Sequence, residues 1–338
     1  MKAVALTHYL PIEHPEALLD VELPVPNPGL RDLLVHVRAV AVNPVDCKVR
    51  APKEIVETSP RILGWDAAGE VVAVGDEVTL FRPGDRVYYA GDITRPGCNC
   101  EYHLVDERIA GPMPDRLGFE EAAALPLTAI TAWEALFDRL QVPKAPQGRR
   151  ASILIIGGAG GVGSMAVQLA AKVAGLTVIA TASRPETQAW VRDLGAHYIA
   201  DHYQPLPAQL TAFGFPTVDY ALILNDTDRH FPAAAELIAP QGRICTIVEN
   251  SRPLPVELLK AKSTAFLQEF MFTRSMFRTA DMIEQHRLLA EVAQLIDAGI
   301  LRTTVTKTLR PIDAANLKAA HAELETGRAI GKIVLAGF

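Results

Sequence analysis

The densest group of residues suited to chemistry is a run of glycines. Within ILIIGGAGGVGSMAVQLA, Gly158, Gly160 and Gly163 take the spacing G-x-G-x-x-G, directly after an apolar strand-like run and directly before an Ala-rich helical one. In that context Gly158 permits a tight turn, Gly160 lets a pyrophosphate approach the backbone, and Gly163 lets helix pack against strand. Gly161 and Val162 open the helix, where N–H groups lack intrahelical partners and the helix dipole is positive. The alternative is a glycine-rich turn with no ligand.

The next strand, TVIAT, adds a second constraint. Such a unit ordinarily ends this strand on an acid that accepts a hydrogen bond from the ribose 2′-hydroxyl of NAD. Here the place is taken by Ala182, followed by Ser183 and Arg184. An acid would repel a 2′-phosphate; a hydroxyl and a planar guanidinium attract one. The expected cofactor is therefore NADPH. The alternative for Arg184 is a solvated side chain ahead of a helix.

Composition narrows the class. The chain has 338 residues, 49% hydrophobic and 21% charged, with a formal net charge of -6. No run of Lys or Arg could track a phosphate backbone or an acidic bilayer, so neither nucleic acid nor membrane is an expected partner. The opening MKAVALTHYLPIEHPEALLD carries no secretory h-region or cleavage site, which makes the cytoplasm the expected compartment. Residues 151–171 carry no charge, but five glycines inside the stretch mark a loop between buried strand and buried helix rather than a bilayer span. Four scattered cysteines, Cys47, Cys98, Cys100 and Cys245, read as reduced thiols.

The elements that must position these residues fall into two textures. KAVALT, LLVHVRAVAVN, GEVVAVGDEVTLF, DRVYYA and EYHLV alternate with Gly and Pro turns, which predicts a β-rich first part. After EEAAALPLTAITAWEALFDRL, strands and helices alternate from SILII to RICTIV, which predicts a parallel sheet with right-handed crossovers. QGRRAS, Gln147 to Ser152, reads as the hinge into that sheet, and the helix from Ala280 to Gly299 as its end.

With VNPVDCKVR, GWDAAGEVVAVGDEVTLFRPGDRV, LPLTAITAWEAL, GGAGGVGSMAVQLA and the terminal GRAIGKIVL in one order, the chain resembles the medium-chain dehydrogenase/reductase superfamily over nearly its whole length. Within it, the likeness is to quinone oxidoreductases and the neighbouring zinc-type alcohol dehydrogenase-like proteins. The resemblance implies an α/β fold: a Rossmann doubly wound parallel sheet domain over residues 123–299, binding NADPH, and a β-rich GroES-like catalytic domain over residues 1–122, completed by residues 300–338. It places the active site in the cleft, and it implies a homodimer or homotetramer built on the Rossmann sheet edge, with SRPLPVELLKAKSTAFLQEF as the segment involved.

Zinc-dependent members of the superfamily hold the catalytic metal through a Cys, a His-Glu pair and a second Cys or Asp. By the resemblance those places hold Asn43, Trp65 with Asp66, and about Leu127, and the run of four cysteines of the structural zinc lobe is missing. One carboxylate does not make a three-ligand site, so no metal is expected. Trp65 reads as core or cleft wall, and Asp66 as a group that orients backbone. Cys98, Cys100 and His103 lack a fourth ligand at a usual spacing and lie where CEYHLV reads as a strand.

Without a Lewis acid a simple ketone is a poor hydride acceptor, whereas a quinone or an α,β-unsaturated carbonyl needs only hydrogen-bond donors near the growing oxyanion and a proton. The resemblance implies that Asn43 lines the cleft and that Lys48 stands where quinone reductases often carry a Tyr touching nicotinamide ribose or substrate. Asp46 pairs with Lys48 or braces the loop; the three together also read as a polar turn. Thr131 matches a threonine packed by the nicotinamide, or else bonds its own helix backbone. Tyr9, His202, Asn225 and the loop EFMFTRSMF are further residues for the cleft, His202 as a cofactor contact, though the Phe and Met side chains read more often as core than as substrate box. The expectation is a zinc-independent NADPH-dependent reductase of a small-molecule quinone or conjugated enone/enal. An alkenal or enoyl-type reductase, a zinc alcohol dehydrogenase and a non-catalytic NADPH-binding protein are the rivals.

Overall fold

The computed structural model describes residues 1–144 and 151–338. The hinge expected at Gln147 to Ser152 therefore lies, for 147–150, outside the described residues. The chain divides into two units, residues 1–130 with 272–338, and residues 131–271. No helix among the described residues is long and apolar enough to cross a membrane.

The first unit is built on strands. β1 (Lys2–Tyr9), β2 (Leu19–Glu22), β3 (Asp32–Ala41), β4 (Lys53–Ile62), β5 (Ala67–Val74), β6 (Arg86–Tyr89), β7 (Tyr102–Asp106) and β8 (Ala110–Pro112) precede the crossing into the second unit. The second unit carries β9 (Ser152–Ile156), β10 (Thr177–Thr181), β11 (Tyr198–Ala200), β12 (Val218–Ile223), β13 (Ile238–Thr246) and β14 (Ala265–Gln268). β15 (Val305–Leu309) and β16 (Lys332–Ala336) return to the first unit.

In the first unit β2, β1 and β4 form a small antiparallel sheet, and a larger sheet runs β15-β16-β3-β5-β6-β8, with β7 also paired to β3. β3 is its spine: Val35, Val37, Ala39 and Val40 are almost wholly buried, while Arg38 reaches solvent and pairs with Glu70 at 2.6 Å. The terminal strand β16 lies antiparallel to it, Val334 opposite Ala41 and Ala336 opposite Ala39. Every residue of β16 is buried, Lys332 included.

The second unit is a six-stranded parallel sheet of order β11-β10-β9-β12-β13-β14. Numbered within the unit this is 3-2-1-4-5-6, the doubly wound Rossmann order, whose switch point falls between β9 and β12. β9 is buried at all five positions, as a strand covered by helices on both faces must be. Leu154, Ile156, Ala221, Ile223, Phe231 and Ile244 form part of one apolar cluster under the helix Thr227–Leu237.

Two details differ from the sequence reading. The helix Glu284–Asp297 does not end the Rossmann sheet; it belongs to the first unit, which takes up the chain again at Phe272 rather than at residue 300. It packs where Tyr88 donates to the Leu289 carbonyl at 2.6 Å and His286 meets the Ala110 carbonyl at 2.8 Å, polar anchors that helical periodicity does not reveal. The first crossing lies at 130/131, inside the helix Pro126–Trp133, rather than at 122/123.

Candidate active site

In the second unit the glycine loop leaves the carboxyl end of β9 at the switch point, where open α/β sheets bind ligands. Gly157 turns with φ of 89° and donates its N–H to the Thr181 hydroxyl at 3.0 Å. A Cβ on Gly163 would lie 2.2 Å from the Gly157 carbonyl oxygen, so only glycine lets the helix Gly161–Gln168 start this close to the turn. At Gly160 the nearest atom to an added Cβ is 3.7 Å away, which leaves that backbone face open to a ligand. Gly160, Gly161 and Val162 are half-buried at the mouth of the loop. Trp190 donates to Ser164 Oγ at 2.8 Å and holds the following helix, Pro185–Leu194, against this one.

Ser183 and Arg184 follow β10, and His202 follows the adjacent β11; Ala182 N–H to the Ala200 carbonyl, at 2.9 Å, ties the two strand ends together. All three are half-buried, and Arg184 pairs at 3.3 Å with the exposed Glu186. Burial, then the Arg229 charge, holds the His202 imidazole below its ordinary pKa against the opposing pull of Asp201, so near neutrality it offers a neutral ring. Asn225, exposed after β12, stands beside Gly157, whose added Cβ would come 3.6 Å from that of Asn225. Thr131 is buried in the last turn of its helix.

In the first unit Asn43 precedes the short helix Pro44–Arg50, and its N–H donates to Asp46 Oδ2 at 2.6 Å. Asp46 thus braces the loop; it is buried while Lys48, two residues on, is exposed, as i,i+2 positions of a helix face apart. The Asn43 amide donates to the Trp65 carbonyl at 3.2 Å and to Asp66 Oδ2 at 2.9 Å, and is itself 1% exposed. The expected donor to a growing oxyanion has its amide hydrogens committed to protein oxygens: Asn43 is scaffold. Asp66 accepts the Leu127 N–H on Oδ1 at 2.8 Å, and on Oδ2 it also meets the Lys332 ammonium at 2.8 Å. Burial raises the Asp66 carboxyl above its usual range, opposed first by Lys332 and then by the Leu127 and Asn43 donors. Tyr9, also proposed for the cleft, is buried and bonded to Glu57 and Arg61.

Lys332 is the residue the sequence reading missed. The available signal was a lone cation opening the otherwise apolar IVLA of the terminal strand.

Residues 29–129 match the alcohol dehydrogenase GroES-like domain, and residues 194–335 match the zinc-binding dehydrogenase family. A zinc-type alcohol dehydrogenase-like protein of Staphylococcus aureus is 43% identical over 92% of both chains. The chain belongs to the medium-chain dehydrogenase/reductase superfamily. Like its relatives in that superfamily it is an oxidoreductase. A 2-methylene-furan-3-one reductase of Solanum lycopersicum is 37% identical over 99% of this chain and 79% of its own. Among solved structures, a protein of Rhizobium etli called a zinc-dependent alcohol dehydrogenase is 56% identical with a TM-score of 0.96, covering 100% of this chain and 98% of that one. A quinone oxidoreductase of Coxiella burnetii, 27% identical, has a TM-score of 0.81 over 100% and 99% of the two chains. A mycobacterial protein complexed with NADPH, 26% identical, has a TM-score of 0.82 over 99% and 100%.

The zinc in several of these names finds no matching donor set here. Asn43, Trp65 and Leu127 offer no anionic or imidazole ligand, and both Asp66 oxygens are engaged. Among the described residues no group of three His, Cys, Asp or Glu side chains is placed to hold a metal ion. His103 has Nδ1 on the Tyr89 hydroxyl at 3.1 Å and Nε2 on the Pro96 carbonyl at 3.0 Å, and the buried Cys98 and Cys100 thiols meet the Asp66 carbonyl at 3.4 Å and the Tyr102 carbonyl at 3.2 Å.

Proposed function

We propose that this dehydrogenase/reductase is a zinc-independent, NADPH-dependent oxidoreductase that transfers hydride to a quinone or an α,β-unsaturated carbonyl. The observation that carries the reading is the metal place itself, which holds Asn43, Trp65 and Leu127 around a carboxylate already fully hydrogen-bonded. The named relatives support the acceptor class: one reduces a conjugated furanone, another structure is a quinone oxidoreductase, and a third holds NADPH.

Bound NADPH supplies the hydride. The open backbone at Gly160 and the first N–H groups of the helix Gly161–Gln168 hold the pyrophosphate. Ser183 and Arg184 hold the 2′-phosphate, Ala182 leaves it unrepelled, and His202 adds a neutral contact from the neighbouring strand end. By the family resemblance we assign Thr131 to the nicotinamide and Lys48, exposed after the Asn43–Asp46 brace, to ribose or substrate. The working form is a cytoplasmic homodimer or homotetramer through the outer edge of β14, the terminal strand of its sheet. It needs no nucleic acid or membrane partner.

The test is steady-state NADPH oxidation with 9,10-phenanthrenequinone and with a conjugated enal. Turnover persists in EDTA. Arg184→Ala raises the Michaelis constant for NADPH by roughly ten- to a few-hundred-fold, the worth of one to two charge-assisted hydrogen bonds, and leaves that for NADH unchanged. An equal penalty for both cofactors defeats the assignment of Arg184. NADPH binding without oxidation across quinones and enals replaces the enzyme reading with a dinucleotide-binding one.

A further inference from the structure

Lys332 is 3% exposed and stands at the start of β16. An ammonium has three hydrogens to donate, and here it has three acceptors: the Val42 carbonyl at 2.9 Å, Asn43 Oδ1, and Asp66 Oδ2 at 2.8 Å. By the family resemblance, two of these belong to residues at places where zinc-dependent members carry metal ligands. A third such residue, Leu127, bonds the other oxygen of the same carboxylate. The positive charge thus lies among the groups that would otherwise surround a divalent ion.

We propose that the Lys332 ammonium is the resident cation of this place: it excludes a metal, and it acts as a positioning residue that fixes the Asn43 amide and the Asp66 carboxylate. The proposal rests on the metal-free reading above and names the group that enforces it. Two causes act together. A divalent ion brought among Asn43, Asp66 and Leu127 would stand within a few ångströms of a buried like charge, in a medium that screens poorly. It would also have to displace donors from both Asp66 oxygens, leaving an ammonium buried without its partner.

The geometry also orders the loop that carries Asp46 and Lys48. Asn43 is held from both ends of its amide, by Lys332 on the oxygen and by Trp65 and Asp66 on the nitrogen, while its backbone N–H is held by Asp46. Removing the ammonium frees one end of that amide and leaves Asp66 buried without its counter-charge. Removing both charges leaves a neutral, still hydrogen-bonded pocket, which is ordinarily far less disruptive than removing one.

The experiment compares wild type, Lys332→Arg, Lys332→Met and the double variant Lys332→Met/Asp66→Asn. Each full-length protein is equilibrated with Zn2+, desalted and measured for metal content; its melting temperature is recorded; and kcat and KM are taken with NADPH and 9,10-phenanthrenequinone. Wild type retains no stoichiometric zinc. Lys332→Met melts lower than wild type, and the double variant regains most of that loss. The folded variants lose kcat by roughly ten-fold, as expected when an oriented group is loosened, while KM for NADPH, assigned mainly to the Gly160 backbone, Ser183 and Arg184, changes less than kcat. Lys332→Arg, which keeps the charge, retains more kcat than the methionine variant.

One zinc per wild-type chain overturns the exclusion. Equal melting losses in the single and double variants overturn the pairing with Asp66, and wild-type kcat in the double variant overturns the positioning role. Metal content and melting need no turnover, so they stand or fall separately from the choice of quinone as substrate. Should Lys332→Met fail to fold, a folded double variant still shows the pairing, and wild-type metal content still tests the exclusion.

Discussion

The carboxyl of Asp46 is buried with one oxygen, Oδ2, on the Asn43 N–H and the other, Oδ1, facing no donor. Burial raises its pKa from 3.8 to about 7; the Asn43 N–H and the Lys332 charge oppose the shift, and the Asp66 charge adds to it. The folded protein therefore keeps a proton that the unfolded chain gives up near pH 4. Stability from this group is full below pH 4 and is lost as pH rises toward 7. We predict that Asp46→Asn, followed by urea unfolding across this range, gains on wild type steadily from pH 4 to 7; a constant difference means Asp46 does not titrate there. Of these residues the sequence exposed only a part. Asn43 and Asp46 could be singled out as polar groups at the right place, but their roles depend on Lys332, a lone cation nearly three hundred residues away whose own strand does not reveal its partners. Arg50 is similar: its guanidinium is buried against Glu325, and against His321, whose ring burial holds neutral with a pKa of about 3.

At the scale of elements, the glycine loop separates folding from binding. Gly163→Ala would drive a Cβ into the Gly157 carbonyl at 2.2 Å, with Gly158 backbone atoms 2.7 Å away, so the strand–helix junction must move. Gly160→Ala meets nothing closer than 3.7 Å and closes only the face offered to the pyrophosphate. Expected outcomes are a sharply lower melting temperature for the first variant, and for the second a near-normal one with NADPH affinity weaker by roughly ten-fold or more, read by calorimetry. Equal melting losses would show that the loop is purely structural. This region was legible because three glycines, an apolar strand and a helix arrive in a fixed order. Less legible were the wider turns that follow two helices, where Leu140 N–H reaches the Ala135 carbonyl and Ala174 N–H that of Leu169, five residues back. Small Ala-rich side chains do not distinguish that register from an ordinary helix. β4 was missed because KEIVETSPRI is mostly exposed, lacks alternation and contains a proline, all of which an edge strand tolerates.

For the whole molecule, the controlling fact is that the first unit is written in two pieces, with the second unit between them. β16 is interior to its sheet, flanked by β15 and β3, although it comes last in the chain. A chain ending at Gly331 would therefore lose both Lys332 and the strand that joins β15 to the rest. Hydrogen exchange should show β3 and β15 deprotected in that truncation while β9, β10 and β12 keep their protection, whereas unchanged protection in β3 would mean β16 is dispensable. The alternation of strands and helices announced the second unit plainly, but nothing local announced that the helix Glu284–Asp297 belongs to the first. During synthesis the same arrangement sets a delay. Ala39, Val40 and Ala41 leave the ribosome roughly 290 residues before Ala336, Leu335 and Val334 can meet them, about fifteen to sixty seconds at ordinary elongation rates. For that interval the nascent polypeptide carries an apolar strand with one flank open, and Asp66 waits nearly as long for the cation beside it.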